Sequence, residues 1–383
     1  MNNITELFKE YNLLCENNKL DYQPDGFLVM IHEHYLDKGK IQLPYPFYVT
    51  WDITNYCNLS CVFCSASALG KKDIIDDPNC IKIAEKLIEN KIKYISIRGG
   101  EPTLVKQLIN CVELFNKNNI YVEIVSNGSG ITKEFLTKLS ILNKNMIRIK
   151  ISLDSTDEES NDKLRGKGSY LGAVKAMNNC KEFDWDFRTQ MVVTNKNKDD
   201  LINMYEFVNS LGATSFGSLL VLPMGRGKKT DLVVIDEKLL TDLIYIKKNE
   251  KNTKFEKLGM GIDGFKFYEN LYQNYSCSEE ESYKYSLLKC NCGKTRINLD
   301  SNGDVYPCDM MKYDEFKMGN ILKDDIMTIW HSDSVKEFNE ISRRTKKGCK
   351  DCNIKGCNTG CFGISYGIYH DIKNAEPNCR LYD

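Results

Sequence analysis

A short segment with three cysteines constrains this chain more than any other feature. Cys57, Cys61 and Cys64 follow the strand-like run Phe47–Ile53 with the spacing C-x3-C-x2-C, so three thiolates lie on one tight loop. Three thiolates can hold three irons of a [4Fe–4S] cluster and leave the fourth iron open to a small molecule, whereas electron-transfer clusters are usually closed by four cysteines. The alternative is a zinc loop, although structural zinc prefers four ligands in a closed tetrahedron. The segment therefore predicts an iron–sulfur site with one open iron.

A second motif follows the next strand-like run, Tyr94–Arg98. It consists of Gly99, Gly100, Glu101 and Pro102. The glycines allow a backbone to approach a ligand closely, and Glu101 is placed to accept a hydrogen bond from an ammonium group. Alone, this tetrapeptide would indicate only a turn. Together with the cysteine loop, and with the aromatic Phe63 before the last cysteine, it closely resembles the radical SAM superfamily.

The resemblance implies that S-adenosylmethionine binds the open iron through its amino and carboxylate groups. Its reductive cleavage would give methionine and a 5′-deoxyadenosyl radical that abstracts a hydrogen atom, and the electron would come from an external reductant such as flavodoxin or ferredoxin. The cofactor supplies the difficult chemistry and the protein orients it. The residues that the resemblance assigns to the cofactor are Phe63, Gly99, Gly100, Glu101, Pro102, Asn127, Ser152 and Arg165.

Several of these assignments have simpler alternatives. Asn127 and Ser152 come at the ends of strand-like runs, where small polar groups suit a nucleoside amino acid, but such residues also cap helices and form turns. Asp154 is equally explained by capping. Arg165 could clamp a carboxylate, or be a solvated surface residue. The loop Pro223–Gly227 is a weaker match to a family loop near the cofactor.

Six strand-like runs alternate with amphipathic stretches from residue 47 to residue 250. The runs are Phe47–Ile53, Tyr94–Gly100, Tyr121–Asn127, Met146–Asp154, Phe187–Thr194 and Thr214–Leu222. Such alternation predicts a parallel sheet with right-handed crossovers. Because six β/α units fall short of the eight in a closed barrel, we expect an α/β fold with a partial (β/α)6 barrel, as in the radical SAM family. The functional residues should then meet at the carboxyl ends of the strands.

The C-terminal region carries nine of the sixteen cysteines. Gly303 lies five residues before Cys308, and the later cysteines have the spacing C-x2-C-x4-C-x3-C. This pattern is similar to the SPASM domain, with one residue fewer in the middle spacing. A zinc ribbon is the alternative, since C-x2-C pairs are common in zinc sites.

The resemblance to the SPASM domain implies two auxiliary [4Fe–4S] clusters, and so three clusters in all. One would be held by Cys349, Cys352, Cys357 and Cys379. The other would be held by Cys290, Cys308 and Cys361, with Cys292 or Cys277 as a possible fourth ligand. If neither completes the set, one iron stays open. Asp309 occupies the position of a base in sulfatase-maturing relatives, and a turn-capping role is the alternative.

Composition excludes several classes of function. The net charge is −1, from 52 basic and 53 acidic residues, which gives no indication of binding to nucleic acid or to an anionic membrane. No apolar run is long enough to cross a bilayer, and the N-terminus lacks a signal-peptide pattern, so we expect a cytoplasmic protein. Cysteines in such a protein favour metal ligation over disulfides. Cys15, Cys80, Cys111 and Cys180 are predicted to be packing residues.

The sequence therefore predicts an N-terminal extension (1–46), a radical SAM partial barrel (47–250), a bridge (251–285) and a SPASM domain (286–383). The favoured function is that of a radical SAM maturase, which oxidatively modifies a side chain of a ribosomally made peptide, for example by a crosslink or thioether. Formylglycine formation of the sulfatase-maturase type is an alternative, favoured by Asp309. A non-catalytic iron–sulfur electron carrier is a third possibility, against which the open iron and the Gly99–Pro102 motif argue.

Overall fold

The predicted alternation of strands and helices is present in the structure. The computed structural model describes residues 43, 45–70, 74–90, 92–231, 237–249, 251–259, 292–341 and 361–374. The strands of its main sheet are β1 (Tyr48–Thr54), β2 (Tyr94–Gly99), β3 (Tyr121–Ser126), β4 (Ile147–Ser152), β5 (Phe187–Val193), β6 (Ser215–Leu220), β7 (Lys254–Gly259), β8 (Arg296–Leu299), β9 (Asp304–Tyr306) and β10 (Gly319–Asn320). The α-helices are α1 (Asn79–Glu89), α2 (Leu108–Lys117), α3 (Lys133–Leu139), α4 (Glu158–Arg165), α5 (Ser169–Glu182), α6 (Leu201–Leu211), α7 (Glu237–Lys248), α8 (Ile326–Trp330), α9 (Asp333–Ile341) and α10 (Phe362–Tyr369). No helix in this described part is both long and apolar enough to cross a membrane.

All six predicted strands lie side by side in chain order and pair in parallel. The order of the main sheet is β10-β9-β8-β1-β2-β3-β4-β5-β6-β7. Strands β1 to β7 pair in parallel with their neighbours, and β8 also runs parallel to β1. Strands β9 and β10 add antiparallel pairs at one edge. In the described residues β10 and β7 end the sheet and do not pair with each other, so the barrel is open.

The sheet runs past the domain boundaries that the sequence predicts. Strand β7 lies in the segment 251–285, predicted as a bridge, and extends the barrel by one parallel strand. Strand β8 lies in the segment 286–383 and pairs with the first barrel strand, Tyr48 opposite Arg296. Strand β7 follows α7 and continues the β/α alternation by one unit. Strand β8 has only four residues and lies outside that alternation. Its place in the sheet depends on pairing with distant residues, which the local pattern does not reveal.

Alternation along the strands separates an apolar face from a polar one. Trp51 is fully buried and packs edge-on against Phe115 of α2, with ring centres 6.4 Å apart. Its face of the sheet therefore carries the helices. Because successive side chains point to opposite faces, Asp52 lies on the concave face. The polar residues on strand positions of that face include Glu123 and Lys150, which form an ion pair at 3.3 Å.

The helices bury one apolar side each against the sheet. In α1 the buried residues are Cys80, Ile83, Ala84 and Leu87, at the three- and four-residue spacing of an amphipathic helix. Cys111 of α2 and Cys180 of α5 are also fully buried. The prediction that these three cysteines are packing residues is confirmed, whereas Cys15 lies outside the described residues.

Candidate active site

The three cysteines of the predicted cluster loop lie just beyond the carboxyl end of β1. Cys57, Cys61 and Cys64 are free thiols, and the backbone N–H of Leu59 donates to the Cys57 sulfur at 3.4 Å. Burial raises the pKa of Cys57 to about 11 and also raises the pKa of Cys61. Because iron binds the thiolate, loading a cluster here would release protons from these buried thiols.

Arg226 braces this loop from the turn after β6. Its Nε donates to the carbonyl of Cys61 at 2.8 Å and its Nη1 to the carbonyl of Ala68 at 3.0 Å. The backbone N–H of Arg226 donates to the Cys64 carbonyl at 2.9 Å. Gly225 has φ +53°, and a Cβ there would lie 2.5 Å or less from the carbonyl oxygens of Ser65 and Cys64. The sequence offered only a weak family match for Pro223–Gly227, and the contacts that give it a role come from the fold.

The two glycines after β2 are required by the chain's own backbone. A Cβ on Gly100 would lie 1.9 Å from the carbonyl oxygen of Tyr56, and one on Gly99 would lie 2.3 Å from that of Thr54. The backbone N–H of Gly100 donates to Thr54 at 2.7 Å. The sequence attributed these glycines to close approach of a ligand. In the structure they let β2 pass against the start of the cysteine loop, and Pro102 then begins a short 3-10 turn, Pro102–Leu104.

Glu101 is the residue whose surroundings differ most from the prediction. It is only 1% exposed. Its Oε1 accepts from the Thr103 backbone N–H at 3.1 Å, the Thr103 hydroxyl at 2.6 Å and the Ser126 hydroxyl at 2.8 Å, and its Oε2 accepts from the Asn127 backbone N–H at 2.8 Å. The sequence predicted an ammonium partner for this carboxylate. Its donors in the structure are internal, and they tie β2 to β3, although burial still raises the pKa of Glu101.

Asn127 connects the end of β3 to the cysteine loop. Its Nδ2 donates to Asn58 Oδ1 at 2.8 Å and approaches the Cys57 sulfur at 3.8 Å. Its Oδ1 accepts from the Ser129 backbone N–H at 2.9 Å. Asn58, in turn, donates to the Ser129 hydroxyl at 2.8 Å. Asn127 therefore lies directly beside the predicted cluster ligands.

Arg165 forms an ion pair with a carboxylate of the same chain. Its Nη2 donates to Asp154 Oδ1 at 3.1 Å, and its Nε donates to the other carboxylate oxygen. Both side chains are buried. The guanidinium also lies 5.5 Å from the centre of the Phe63 ring, a cation–π distance. The sequence predicted that Arg165 clamps a carboxylate of the cofactor or is solvated, and the structure gives it a buried internal carboxylate instead.

Ser152 is the last residue of β4 and is half-buried. It therefore shares the carboxyl edge of the sheet with Gly99 and Asn127, which end or follow β2 and β3. This is the edge at which parallel α/β sheets bind ligands. Phe63 is buried within the cysteine loop at the same edge. The structure thus brings the predicted cofactor residues together at one end of the barrel.

Three of the predicted C-terminal ligands fall within the described residues. Cys292, Cys308 and Cys361 form no disulfide in this part of the chain. Arg296 Nη2 approaches the Cys292 sulfur at 3.7 Å, and the Met310 backbone N–H donates to the Cys308 sulfur at 3.2 Å. The other predicted ligands, Cys277, Cys290, Cys349, Cys352, Cys357 and Cys379, lie outside the described residues.

Asp309, the candidate base, lies between two arginines. Its carboxylate accepts from Arg98 Nη1 at 2.9 Å and lies 3.6 Å from Arg296 Nη2. Burial alone would raise the pKa of Asp309, but Arg98 and Arg296 outweigh that effect and hold the pKa well below its usual range. A carboxylate with a lowered pKa is a weak proton acceptor. The ion pairs therefore argue against Asp309 as a base and give it a structural partner on the barrel.

Comparisons with known proteins identify the family. The radical SAM superfamily model matches residues 51–208, and the SPASM model, an iron–sulfur cluster-binding domain, matches residues 290–353. The mycofactocin maturase MftC of Mycolicibacterium smegmatis is 30% identical over 347 residues, which cover 87% of this chain and 82% of the relative. The chain belongs to the radical SAM superfamily.

Two further proteins are similar to this chain over most of its length. The subtilosin biosynthesis protein AlbA of Bacillus subtilis is 28% identical over 359 residues, covering 90% of this chain and 74% of AlbA. Streptococcus suis SuiB, solved with the precursor peptide SuiA, matches 98% of this chain and 89% of the solved chain with a TM-score of 0.70 at 21% identity. The SuiB likeness establishes a shared fold, a radical SAM barrel with a SPASM domain. The predicted fold class is confirmed.

As a radical SAM protein with a SPASM domain, the chain is an enzyme that uses S-adenosylmethionine, a [4Fe–4S] cluster and auxiliary iron–sulfur clusters. The residues at the barrel mouth fit the first cluster. Three free thiols lie on one braced loop, and one of them already receives a backbone N–H on its sulfur. In addition, Arg226 Nη2 is buried beside the loop and has no hydrogen-bond partner among the described residues.

Proposed function

We propose that this chain is a peptide maturase, which oxidatively modifies a side chain of a ribosomally made peptide by forming a crosslink or a thioether. The likeness to the maturase MftC, which extends over the barrel and into the SPASM domain, carries this proposal. The likeness to AlbA, a bacteriocin biosynthesis protein, supports it. The fold shared with SuiB, a protein solved in complex with a precursor peptide, is compatible with a peptide at the barrel mouth.

In this proposal Cys57, Cys61 and Cys64 hold the first cluster. When bound, the cluster and S-adenosylmethionine supply a radical that abstracts a hydrogen atom from the substrate. The residues proposed to line the cofactor are Phe63, Gly99, Gly100, Pro102, Asn127 and Ser152, which share the carboxyl edge of the sheet. Glu101 and Arg165, the other two predicted cofactor residues, are proposed to hold this edge in shape through their contacts with Asn127 and Phe63.

We propose three [4Fe–4S] clusters in all. The second would be held by Cys290, Cys308 and Cys361 with Cys292 or Cys277, and the third by Cys349, Cys352, Cys357 and Cys379. The N–H donors that approach the sulfurs of Cys292 and Cys308 suit thiolates in a cluster. An external one-electron reductant such as flavodoxin or ferredoxin would start each turnover, and the cytoplasm is the proposed location.

Formylglycine formation of the sulfatase-maturase type is the second candidate. It depends on Asp309 acting as a base. The ion pairs of Asp309 with Arg98 and Arg296 weigh against that role, so the crosslinking reaction is the better supported of the two.

The test uses the anaerobically reconstituted enzyme with S-adenosylmethionine, dithionite and synthetic peptides encoded next to its gene. Mass spectrometry should detect 5′-deoxyadenosine together with a peptide that has lost two hydrogen atoms, and fragmentation should locate the new bond. A sulfatase-derived peptide with the target Cys or Ser serves as the comparison. Conversion of that peptide to formylglycine, with no change in the encoded peptides, would favour the second candidate and reject the first.

A further inference from the structure

A continuous chain of charged groups joins the C-terminal cysteines to the strand before Gly99. From Cys292, Arg296 Nη2 lies 3.7 Å from the sulfur and 3.6 Å from Asp309 Oδ1. Asp309 Oδ2 then accepts from Arg98 Nη1 at 2.9 Å, and Arg98 Nε donates to Asp52 Oδ1 at 3.0 Å. Asp52 lies on β1 and Arg98 on β2, directly before Gly99, so the network connects the SPASM cysteines to the mouth of the barrel.

The network includes a third cation. Lys312 also pairs with Asp52 and lies within electrostatic reach of Asp300. Asp52 is almost completely buried, and Arg98 and Lys312 together outweigh its burial and lower its pKa. Arg296 is the cation nearest the sulfur of Cys292, and its buried Nε has no hydrogen-bond partner in the described part of the chain. Its charge is therefore only partly compensated by the residues around it.

We propose that Arg296 raises the reduction potential of the auxiliary cluster at Cys292 and Cys308, and that the carboxylate of Asp309, which pairs with Arg296 and Arg98, partly offsets this effect. This inference deepens the proposed function and rests on it, because it specifies how that cluster is made able to accept an electron. Asp309 then serves as an electrostatic link between the SPASM domain and the barrel.

The physical reason is the charge of the reduced cluster. One-electron reduction adds a negative charge, which a nearby cation stabilises, and hydrogen bonds to the sulfurs act in the same direction. In a maturase, hydrogen abstraction leaves a substrate radical, and formation of the new bond releases one electron and one proton. A bound auxiliary cluster would supply the acceptor for this electron, and an external oxidant would then have to remove it. A higher potential favours the first of these transfers.

Two substitutions should shift the potential in opposite directions. Arg296→Gln removes a positive charge and keeps a hydrogen-bonding amide, so the potential should fall. Asp309→Asn removes a negative charge from the same network at nearly constant shape, so the potential should rise. A purely structural role for either residue would reduce cluster occupancy and would not produce shifts of opposite sign. Arg296→Lys, which keeps the charge, should restore most of the native potential.

The experiment is a redox titration of the reconstituted protein, monitored by electron paramagnetic resonance, without peptide. The first cluster is removed by the background substitution Cys57/Cys61/Cys64→Ala, so that only auxiliary clusters are observed. We expect Arg296→Gln to make reduction about tenfold less favourable, which is about 59 mV for one electron. Lys336→Gln is the matched control, because Lys336 is an exposed lysine on α9 that pairs with Asp333, and its loss should leave the potential unchanged.

The proposal is overturned if Arg296→Gln leaves the potential at its native value, or if Arg296→Gln and Asp309→Asn shift it in the same direction. If the Arg296→Gln variant does not assemble the cluster, the Asp309→Asn variant provides the test. An unchanged or lowered reduction potential in Asp309→Asn would contradict the proposal. Full retention of auxiliary iron in Cys308→Ala would also overturn it. Failure to modify a peptide would reject the proposed function and leave this measurement intact, because no peptide is present in it.

Discussion

The backbone N–H of Asn127 donates to a carboxylate oxygen of Glu101 at 2.8 Å. This bond connects the Gly99–Pro102 motif to Asn127. The side chain of Asn127 in turn reaches Asn58 and the sulfur of Cys57 in the cysteine loop. Glu101 also accepts from Ser126 and Thr103. A motif predicted from sequence as a cofactor contact thus also makes hydrogen bonds within the protein itself.

Glu101→Ala should destabilise the metal-free protein as well as weaken cofactor binding. Each buried donor left without its acceptor costs about 1–3 kcal/mol, and Ser126, Thr103 and Asn127 would all lose one. Urea unfolding of the apoprotein measures this loss, and calorimetry on the reconstituted protein measures the affinity for S-adenosylmethionine. An affinity loss of one to two decades with native apoprotein stability would instead support the direct ammonium contact that the sequence predicts.

The triple substitution Cys57/Cys61/Cys64→Ala should remove one cluster and all cleavage of S-adenosylmethionine. The auxiliary clusters should remain, because their predicted ligands are on another part of the chain. Iron analysis and chromatographic detection of 5′-deoxyadenosine give the two readouts. Any 5′-deoxyadenosine formed by the reduced variant would contradict the assignment of this loop as the site of cofactor cleavage.

Arg226→Lys should speed the loss of the first cluster. The guanidinium bonds two carbonyls of the loop at once, at Cys61 and Ala68, and a lysine ammonium lacks this fork geometry. Hydrogen bonds to a charged group are worth about 1.5–3 kcal/mol, so iron release to a chelator should accelerate by about tenfold or more.

The matched control for Arg226 is Lys229→Arg, which also exchanges one cation for the other, at an exposed position in the same turn. Its release rate should equal that of the native protein. Equal rates in Arg226→Lys and the native protein would show that the loop is held without the guanidinium. A faster rate in both variants would point to a general disturbance of this turn rather than to the hydrogen bonds of Arg226.

Asp154→Asn should be among the more destabilising single changes in this region. It leaves the buried Arg165 guanidinium without its counter-charge, and breaking a buried ion pair in this way costs about 3–5 kcal/mol. The double variant, which combines Asp154→Asn with Arg165→Met, should cost less than the two single changes added together. A double-mutant cycle by urea unfolding measures the coupling, which we expect at about 0.5–3 kcal/mol.

Additive effects in that cycle would mean that Asp154 and Arg165 contribute independently. Iron content of the reconstituted variants gives a second readout, because Arg165 lies over the ring of Phe63 in the cysteine loop. Loss of the pair should therefore lower occupancy of the first cluster while the auxiliary clusters are kept.

The sequence by itself determined the features that depend on local pattern. The spacing of Cys57, Cys61 and Cys64 shows three thiols on one loop without reference to any distant residue. The alternation of strand-like and helical runs predicted the six strands β1 to β6 in their correct order, because parallel β/α units follow one another along the chain. The buried positions of Cys80, Cys111 and Cys180 likewise follow from the amphipathic pattern of their helices.

Only the tertiary structure decided the partners of the charged and polar groups. A carboxylate such as Glu101 has the same local sequence whether it faces a ligand or three donor residues of its own protein. The sequence around Arg165 likewise does not indicate that its partner is Asp154. The placement of β8 beside β1, and the chain of ion pairs from Arg296 to Asp52, join residues that are far apart in sequence. Such contacts depend on how the chain closes in space, so only the folded arrangement reveals them.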